Sequence, residues 1–330
     1  MGGLWPEPSA LERMNDVARG DVRHDTTARF ASGRRMNSAG VKPWRKMPTE
    51  AQDAVSVESE PMRQSHSWPV DGHVHFHVPA LIGPTLDAAA ANFRAVSGRS
   101  EGLLGAILLT QAAAERVFEG LQGSSKVDGW TLAPARDEPE TQIARQGMAS
   151  VAVVCGRQVR AADGLEVLAL GTLEAFPDGL PFPETVEAVH RSGALTAIPW
   201  GFGKWLGSRG ERVRSTLESL GPEALFVGDN GSRLDRLGAP ALVRASEQRG
   251  FRVLPGTDPF PFALDHRRVG RFGFLADVDP PETAPWRALR NWLLARRTSP
   301  ARYGRGCGPV QFVVNQVGIQ VYNRLLRSRH

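Results

Sequence analysis

Val70-Asp71-Gly72-His73-Val74-His75-Phe76-His77 is the stretch on which the fold reading turns. It is a short β-prone run, stopped by Pro79, and it opens the first part of the chain with a clear structural period. Side chains alternate along a strand, so His73, His75 and His77 fall on one side. Two neutral imidazoles two residues apart can both reach one divalent ion. Three of the eight histidines in the 330-residue chain sit in this run, a density well above chance placement. A polar edge strand with solvated histidines is the plainer reading. The preceding Asp-Gly favours metal ligation, with His73 and His75 ahead of His77.

Upstream, residues 1–69 are rich in Ser, Pro, Arg and Glu and hold no sustained period of 3.6 or 2.0. They read as a poorly ordered extension with at most a helical turn or two over 9–17, and Met36 and Met62 are alternative candidate starts. Downstream, helices are expected over 86–96, 111–121, 184–191, 211–220 and 239–249. Strands are expected over 105–110, 149–155, 165–170, 195–199, 225–227 and 252–254. This alternation, broken by glycines after each strand, predicts parallel β/α architecture. The body is expected over 70–285, and 286–330 forms a basic C-terminal helical segment. There Val310, Val314, Val317, Val321 and Leu325 recur at helical spacing, predicting an amphipathic helix over 309–327. Packing against the body is its expected role, with membrane-surface contact the alternative.

Five predicted strand ends carry polar groups, and strand ends of a parallel barrel share one face. The first is the histidine run. The second pairs Gly156-Arg157-Gln158 with Glu166, a lone carboxylate in the apolar run Leu165–Gly171, which requires a metal, a cation or an exposed strand end. The third, Pro199-Trp200-Gly201-Phe202-Gly203-Lys204-Trp205, surrounds two glycines with aromatics. Its Lys204, with Arg209 beyond, suits a phosphate or carboxylate. The fourth is Gly228-Asp229-Asn230-Gly231-Ser232-Arg233, where Asp229 or Asn230 also fits a simple Asx turn. The fifth is Gly256-Thr257-Asp258-Pro259-Phe260, with Asp258 placed for metal ligation or proton handling.

These blocks, in this order over about residues 70–262, resemble the polymerase-and-histidinol-phosphatase (PHP) family. The motifs are DGHVHFH, Gly-x-Gln, LEVLALG, Gly193-Ala-Leu-x-x-Ile-Pro199 and Gly256-Thr-Asp258. The resemblance implies a distorted (β/α)7-like barrel of TIM type holding two or three divalent ions, which activate water against phosphate esters. His73 and His75 match its first motif and Asp258 its last. Gln158 stands where the family has Glu, and Glu166 where it has His. Trp200 follows Pro199 in place of a His-Pro, and Phe260 ends a final Asp-x-His. These departures imply a single site for Zn, Mn or Fe, assembled from His73, His75, Glu166 and Asp258, or no metal in a degenerate descendant. The amidohydrolase family shares the opening motif but needs later histidines, of which only His190 and His266 remain in the body.

The expected activity is metal-dependent hydrolysis of a phosphoester. Trp200, Lys204, Arg209, Asn230 and Arg233 would bind a small anionic, phosphorylated substrate, and Asp229, Asp258 and Lys204 would serve the chemistry. The alternative is a non-catalytic binding protein on the same scaffold. Cys155 and Cys307 form no disulfide framework or CxxC pattern. No run approaches the roughly 20 apolar residues of a membrane span, and the first residues lack a signal-peptide core, so a cytoplasmic location is expected. Net charge is +5, yet residues 286–330 carry nine Arg and no Asp, Glu or Lys, which leaves −4 on the rest. The asymmetry suggests an anionic surface or partner for that segment, whether nucleic acid, lipid head groups or an acidic protein face, and a solvated end of the chain is the plainer alternative.

Overall fold

A computed structural model of the protein describes residues 67–262 and 264–327. The extension expected over 1–69, with its short helix, lies outside the described residues except at its last three positions. There the first strand already begins, with Trp68 fully buried.

Fourteen strands are found among the described residues: β1 Trp68–Val74, β2 Gly102–Leu109, β3 Gln111–Ala112, β4 Lys126–Val127, β5 Trp130–Pro134, β6 Thr141–Gln146 and β7 Ala149–Val154 in the first half, then β8 Gly156–Arg160, β9 Glu166–Leu170, β10 Leu195–Pro199, β11 Phe226–Asn230, β12 Arg252–Gly256, β13 Phe272–Ala276 and β14 Ala301–Gly304. Seven α-helices accompany them: α1 Ile82–Ser97, α2 Val117–Gln122, α3 Phe182–Arg191, α4 Ser208–Leu220, α5 Ala241–Gln248, α6 Pro285–Ala295 and α7 Pro309–Arg327. They make two sheets, one ordered β14-β13-β1-β2-β7-β6-β5-β4 and the other β12-β11-β10-β9-β8-β3.

Period-two alternation sorts the core. Along β2, Leu104, Ile107 and Leu109 join an outer cluster under α1 and α2, while Ala106 and Leu108 face the other way. Along β9, Leu168 and Leu170 join that same inner cluster, whereas Val167 and Ala169 pack beneath α3 and α4. The inner cluster therefore draws on both sheets, giving layers of helix, sheet, sheet and helix. Fully burying one such large apolar side chain contributes about 1.5–3 kcal/mol. Two chain corners join the sheets. After Thr110 the chain passes from β2 into β3, and after Cys155 from β7 into β8, each strand changing sheet at one residue.

The architecture is mixed rather than purely parallel. β1 pairs parallel with β2, as do β2 with β7, β10 with β11 and β11 with β12. The neighbours β5, β6 and β7 are antiparallel, as are β8, β9 and β10, and β13 with both its partners. The expected helix over 111–121 is replaced by β3 and the shorter α2. Gln111 and Ala112 pair with Arg157 and Gln158, and this ladder overrides alanine's helix propensity. The arginine-rich segment enters the body: Trp286, Leu289 and Leu293 of α6 are buried in the inner cluster, and β14 extends the first sheet. α7 forms at the expected residues, but its valine stripe faces outward, contrary to the expected packing against the body.

β1 and β12 approach without side chains between them. A Cβ on Gly256 would lie 2.2 Å from the His73 nitrogen, and one on Gly72 would lie 2.6 Å from the Pro255 oxygen. Replacing Gly256 with Ala forces backbone apart and is expected to cost about 2–3 kcal/mol in urea unfolding. Gly123→Ala, where the nearest atom to a new Cβ is 3.5 Å away, serves as control and leaves stability within about 0.5 kcal/mol.

Candidate metal centre

The centre forms where β1 leaves the first sheet and β12 leaves the second. In β1 four residues, Asp71 to Val74, lie opposite three on β2, Ile107 to Leu109, so the strand bulges at Gly72-His73. Such a bulge re-aims side chains locally. His73 and His75 turn their Nε2 atoms to within 3.1 Å of each other. Asp258 approaches from the loop after β12, its Oδ1 3.7 Å from His73 Nε2 and 3.5 Å from His75 Nε2. One ligand atom from each of the three lies within 4.8 Å of the others.

The geometry fits a divalent ion. An ion held about 2.0–2.2 Å from each donor sets its ligand atoms roughly 3.0–3.6 Å apart, which is the scale of these separations. Burial pushes the His75 pKa well below its usual value, and the electrostatic influence of the neighbouring His77, His73 and Lys204 acts in the same direction. Its imidazole is thus neutral, as a ligand must be. Gln158 on β8 adds a neutral oxygen, Oε1, 3.0 Å from His73 Nε2, and Thr110 Oγ1 at the corner lies 3.5 Å from His75 Nε2.

Asp258 is held by several contacts. Its backbone is left-handed at φ 46°, a conformation that Asp tolerates better than most residues. Its N–H donates to the His73 carbonyl at 2.8 Å. Asn230 Oδ1 accepts the Ser232 N–H at 2.6 Å, which directs the Asn230 amide nitrogen onto Asp258 Oδ2. One carboxylate oxygen is occupied in this way and Oδ1 is left for the imidazoles. Behind the centre, the buried Asp71 carboxylate accepts N–H bonds from Thr257 at 2.7 Å and Gly270 at 2.8 Å, and the Thr257 hydroxyl. Burial raises the Asp71 pKa to about 6 against the pull of these donors.

The remaining sequence candidates fall around this cluster. Glu166 is not in it and forms an ion pair with Lys204 Nζ at 2.5 Å. Asp229 takes a two-pronged contact from Arg233, at 2.7 and 3.1 Å, deep in the protein. Arg209 donates to the Gly203 carbonyl at 2.9 Å, and Trp200 packs half-buried against the outer cluster of the second sheet. His77 hydrogen-bonds the Pro259 carbonyl at 2.9 Å and stacks on His75. Gln158 and Thr110 carried no site role in the sequence reading. For Gln158 the signal was its place in Gly-x-Gln two residues into β8, whereas Thr110 becomes visible only once the corner is known.

No protein-family model and no curated protein matches this sequence. Among solved structures the chain is similar to PsfC from Pseudomonas syringae PB-5123, with a TM-score of 0.50 and 14% identity over 78% of this chain and 99% of PsfC. It also overlaps the lesion-specific endonuclease PfuEndoQ from Pyrococcus furiosus, with a TM-score of 0.43 and 14% identity over 68% of this chain and 55% of that one. The likeness to PsfC concerns the fold alone, and that to PfuEndoQ is below the level at which a shared fold follows.

If Asn230 orients Asp258, Asn230→Ala weakens zinc binding about tenfold, read by competition with a chromogenic chelator. Asp71→Asn turns an amide donor toward groups that are themselves donors, and lowers stability by about 2–3 kcal/mol in the same protein without metal.

Proposed function

We propose that this chain is a metal-dependent hydrolase of PHP type, acting on a phosphoester from a distorted barrel built of the two sheets. The observation that carries the reading is the convergence of His73, His75 and Asp258 on one point from opposite ends of the body. Zinc, manganese or iron(II) suits two imidazoles with a carboxylate. Bound there, such an ion would supply Lewis acidity and lower the pKa of water to about 7.

The chain's own residues do the rest. His73 and His75 offer neutral nitrogen lone pairs, Asp258 offers Oδ1, and Gln158 offers an uncharged oxygen. Glu166 neutralises Lys204, and Arg233 neutralises Asp229, so Asp258 is the unpaired carboxylate of the immediate cluster. A divalent ion with one carboxylate leaves net positive charge, which favours an anionic substrate. Lys204 acts electrostatically on His75, and in this reading it exchanges Glu166 for the substrate's anionic group, with Arg209 beyond it on α4.

A second reading, ligand binding without turnover, draws on two observations: an uncharged Gln158 where the family has a carboxylate, and the engagement of Glu166 by Lys204. Metal analysis separates the two. The native protein is expected to carry about one zinc, manganese or iron per chain and to hydrolyse p-nitrophenyl phosphate. A His73→Ala/His75→Ala variant is expected to lose the metal and at least about 100-fold in rate. A metal-free protein that stays inert after loading with each of the three ions would leave only the binding reading.

A further inference from the structure

α7 is seated on the exits of three strands. Its leader is tied down at Cys307, whose N–H donates to the Arg233 carbonyl at 2.8 Å and whose carbonyl accepts the Asp235 N–H at 3.0 Å. Phe312 meets Phe202 edge to face, with centroids 5.2 Å apart. Gly318 backs onto Phe262, since a Cβ there would fall 2.7 Å from the ring. Phe202, Arg233 and Phe262 belong to the loops that follow β10, β11 and β12. The last of these loops also carries Asp258.

The polarity of α7 is inverted for a helix lying on a globular body. Inside, Asn315 is fully buried, its amide 3.8 Å from Cys307 Sγ. Outside, Val310, Val313, Val314, Val317 and Val321 form one stripe, with Val310 79% exposed. Soluble helices bury such a stripe. Among the described residues eleven large apolar side chains are exposed. Eight of them are these five valines with Phe202, Leu206 and Leu264, the last three on loops that α7 touches. Scattered exposed apolar residues need no explanation, but a gathering of this kind marks an interaction surface.

Charge identifies the occupant. Arg324 is exposed on α7 itself, Arg305 is exposed in the segment that leads into it, and Arg267 is exposed beside Leu264. The segment 286–330 adds no acidic residue. A second copy docking through the same face would set arginine against arginine, whereas lipid phosphates complement it. Among the described residues no helix is long and apolar enough to cross a membrane, so a lipid contact has α7 lying in the interface plane.

We propose that α7, with the loops carrying Phe202 and Leu264, is a docking surface for an anionic membrane. The valines, Phe202, Leu206 and Leu264 enter the boundary between head groups and acyl chains, and the arginines meet the head groups. The strand-exit face then turns toward the bilayer. This assignment is independent of whether the metal centre turns over substrate.

Co-sedimentation of the full chain with vesicles tests it, using phosphatidylcholine alone or with about 30% phosphatidylserine. Binding is expected with phosphatidylserine, falling about tenfold without it or on raising salt from about 0.1 M to 0.5 M. Val313→Ser/Val317→Ser is expected to weaken vesicle binding about tenfold with unchanged melting and metal content, since both side chains point outward. Arg305→Gln/Arg324→Gln is a second variant and flattens the salt dependence. Failure of the native chain to sediment with phosphatidylserine vesicles, or equal sedimentation of the valine variant, would overturn the proposal. So would a dimer abolished by the valine variant in a protein that ignores vesicles, because the stripe would then belong to a second copy.

Discussion

The buried carboxylate of Asp71 is the constraint on which the centre depends. It accepts from Thr257 twice, from Gly270 and from the His73 backbone, so one side chain joins β1, the loop after β12 and the turn before β13. A carboxylate taken from water costs several kcal/mol unless its lone pairs are filled, and here they are. Each hydrogen bond to a charged group contributes about 1.5–3 kcal/mol, enough to hold the flanking backbone in place. His73 lies two residues beyond Asp71, and Asp258 follows Thr257. The position of both follows from that junction. The glycines at 72 and 256 permit it by letting the two backbones touch.

Electrostatic pairing then simplifies the site. Lys204 with Glu166, and Arg233 with Asp229, remove four charges from the strand-exit face in two internal pairs. The part-buried Lys204–Glu166 pair contributes little to stability, while the Arg233–Asp229 pair is fully buried, so removing either of its partners strands the other. The centre keeps one carboxylate and a set of neutral donors. Its affinity for a cation and its net charge once loaded follow from that count.

The opening strand and its histidines were legible because alternation and residue type are local facts, and Gly256-Thr257-Asp258 was legible as a motif. Glu166 shows where local reasoning stops. A carboxylate inside LEVLAL must have a partner, and both an ion and a lysine satisfy that requirement. Only the fold selects Lys204, which lies 38 positions downstream. Gln158 looked like a lost ligand, yet its amide oxygen still reaches His73. The antiparallel strands over Trp130–Pro134 and Thr141–Gln146 escaped notice because proline, charge and threonine blur their alternation. For α7 the period was readable but the facing was not. A stripe of valines at helical spacing states that one side is apolar, and nothing local says whether that side meets protein or solvent.

The junction at Asp71 links residues 186 positions apart in the chain. A contact that distant forms only after most of the sequence has left the ribosome, and its closure carries a large entropic cost. The first sheet can begin to order from β1 and β2 while the histidines still lack Asp258. Any cation the centre holds would therefore be captured at the last stage of maturation, once the nascent chain has closed on itself.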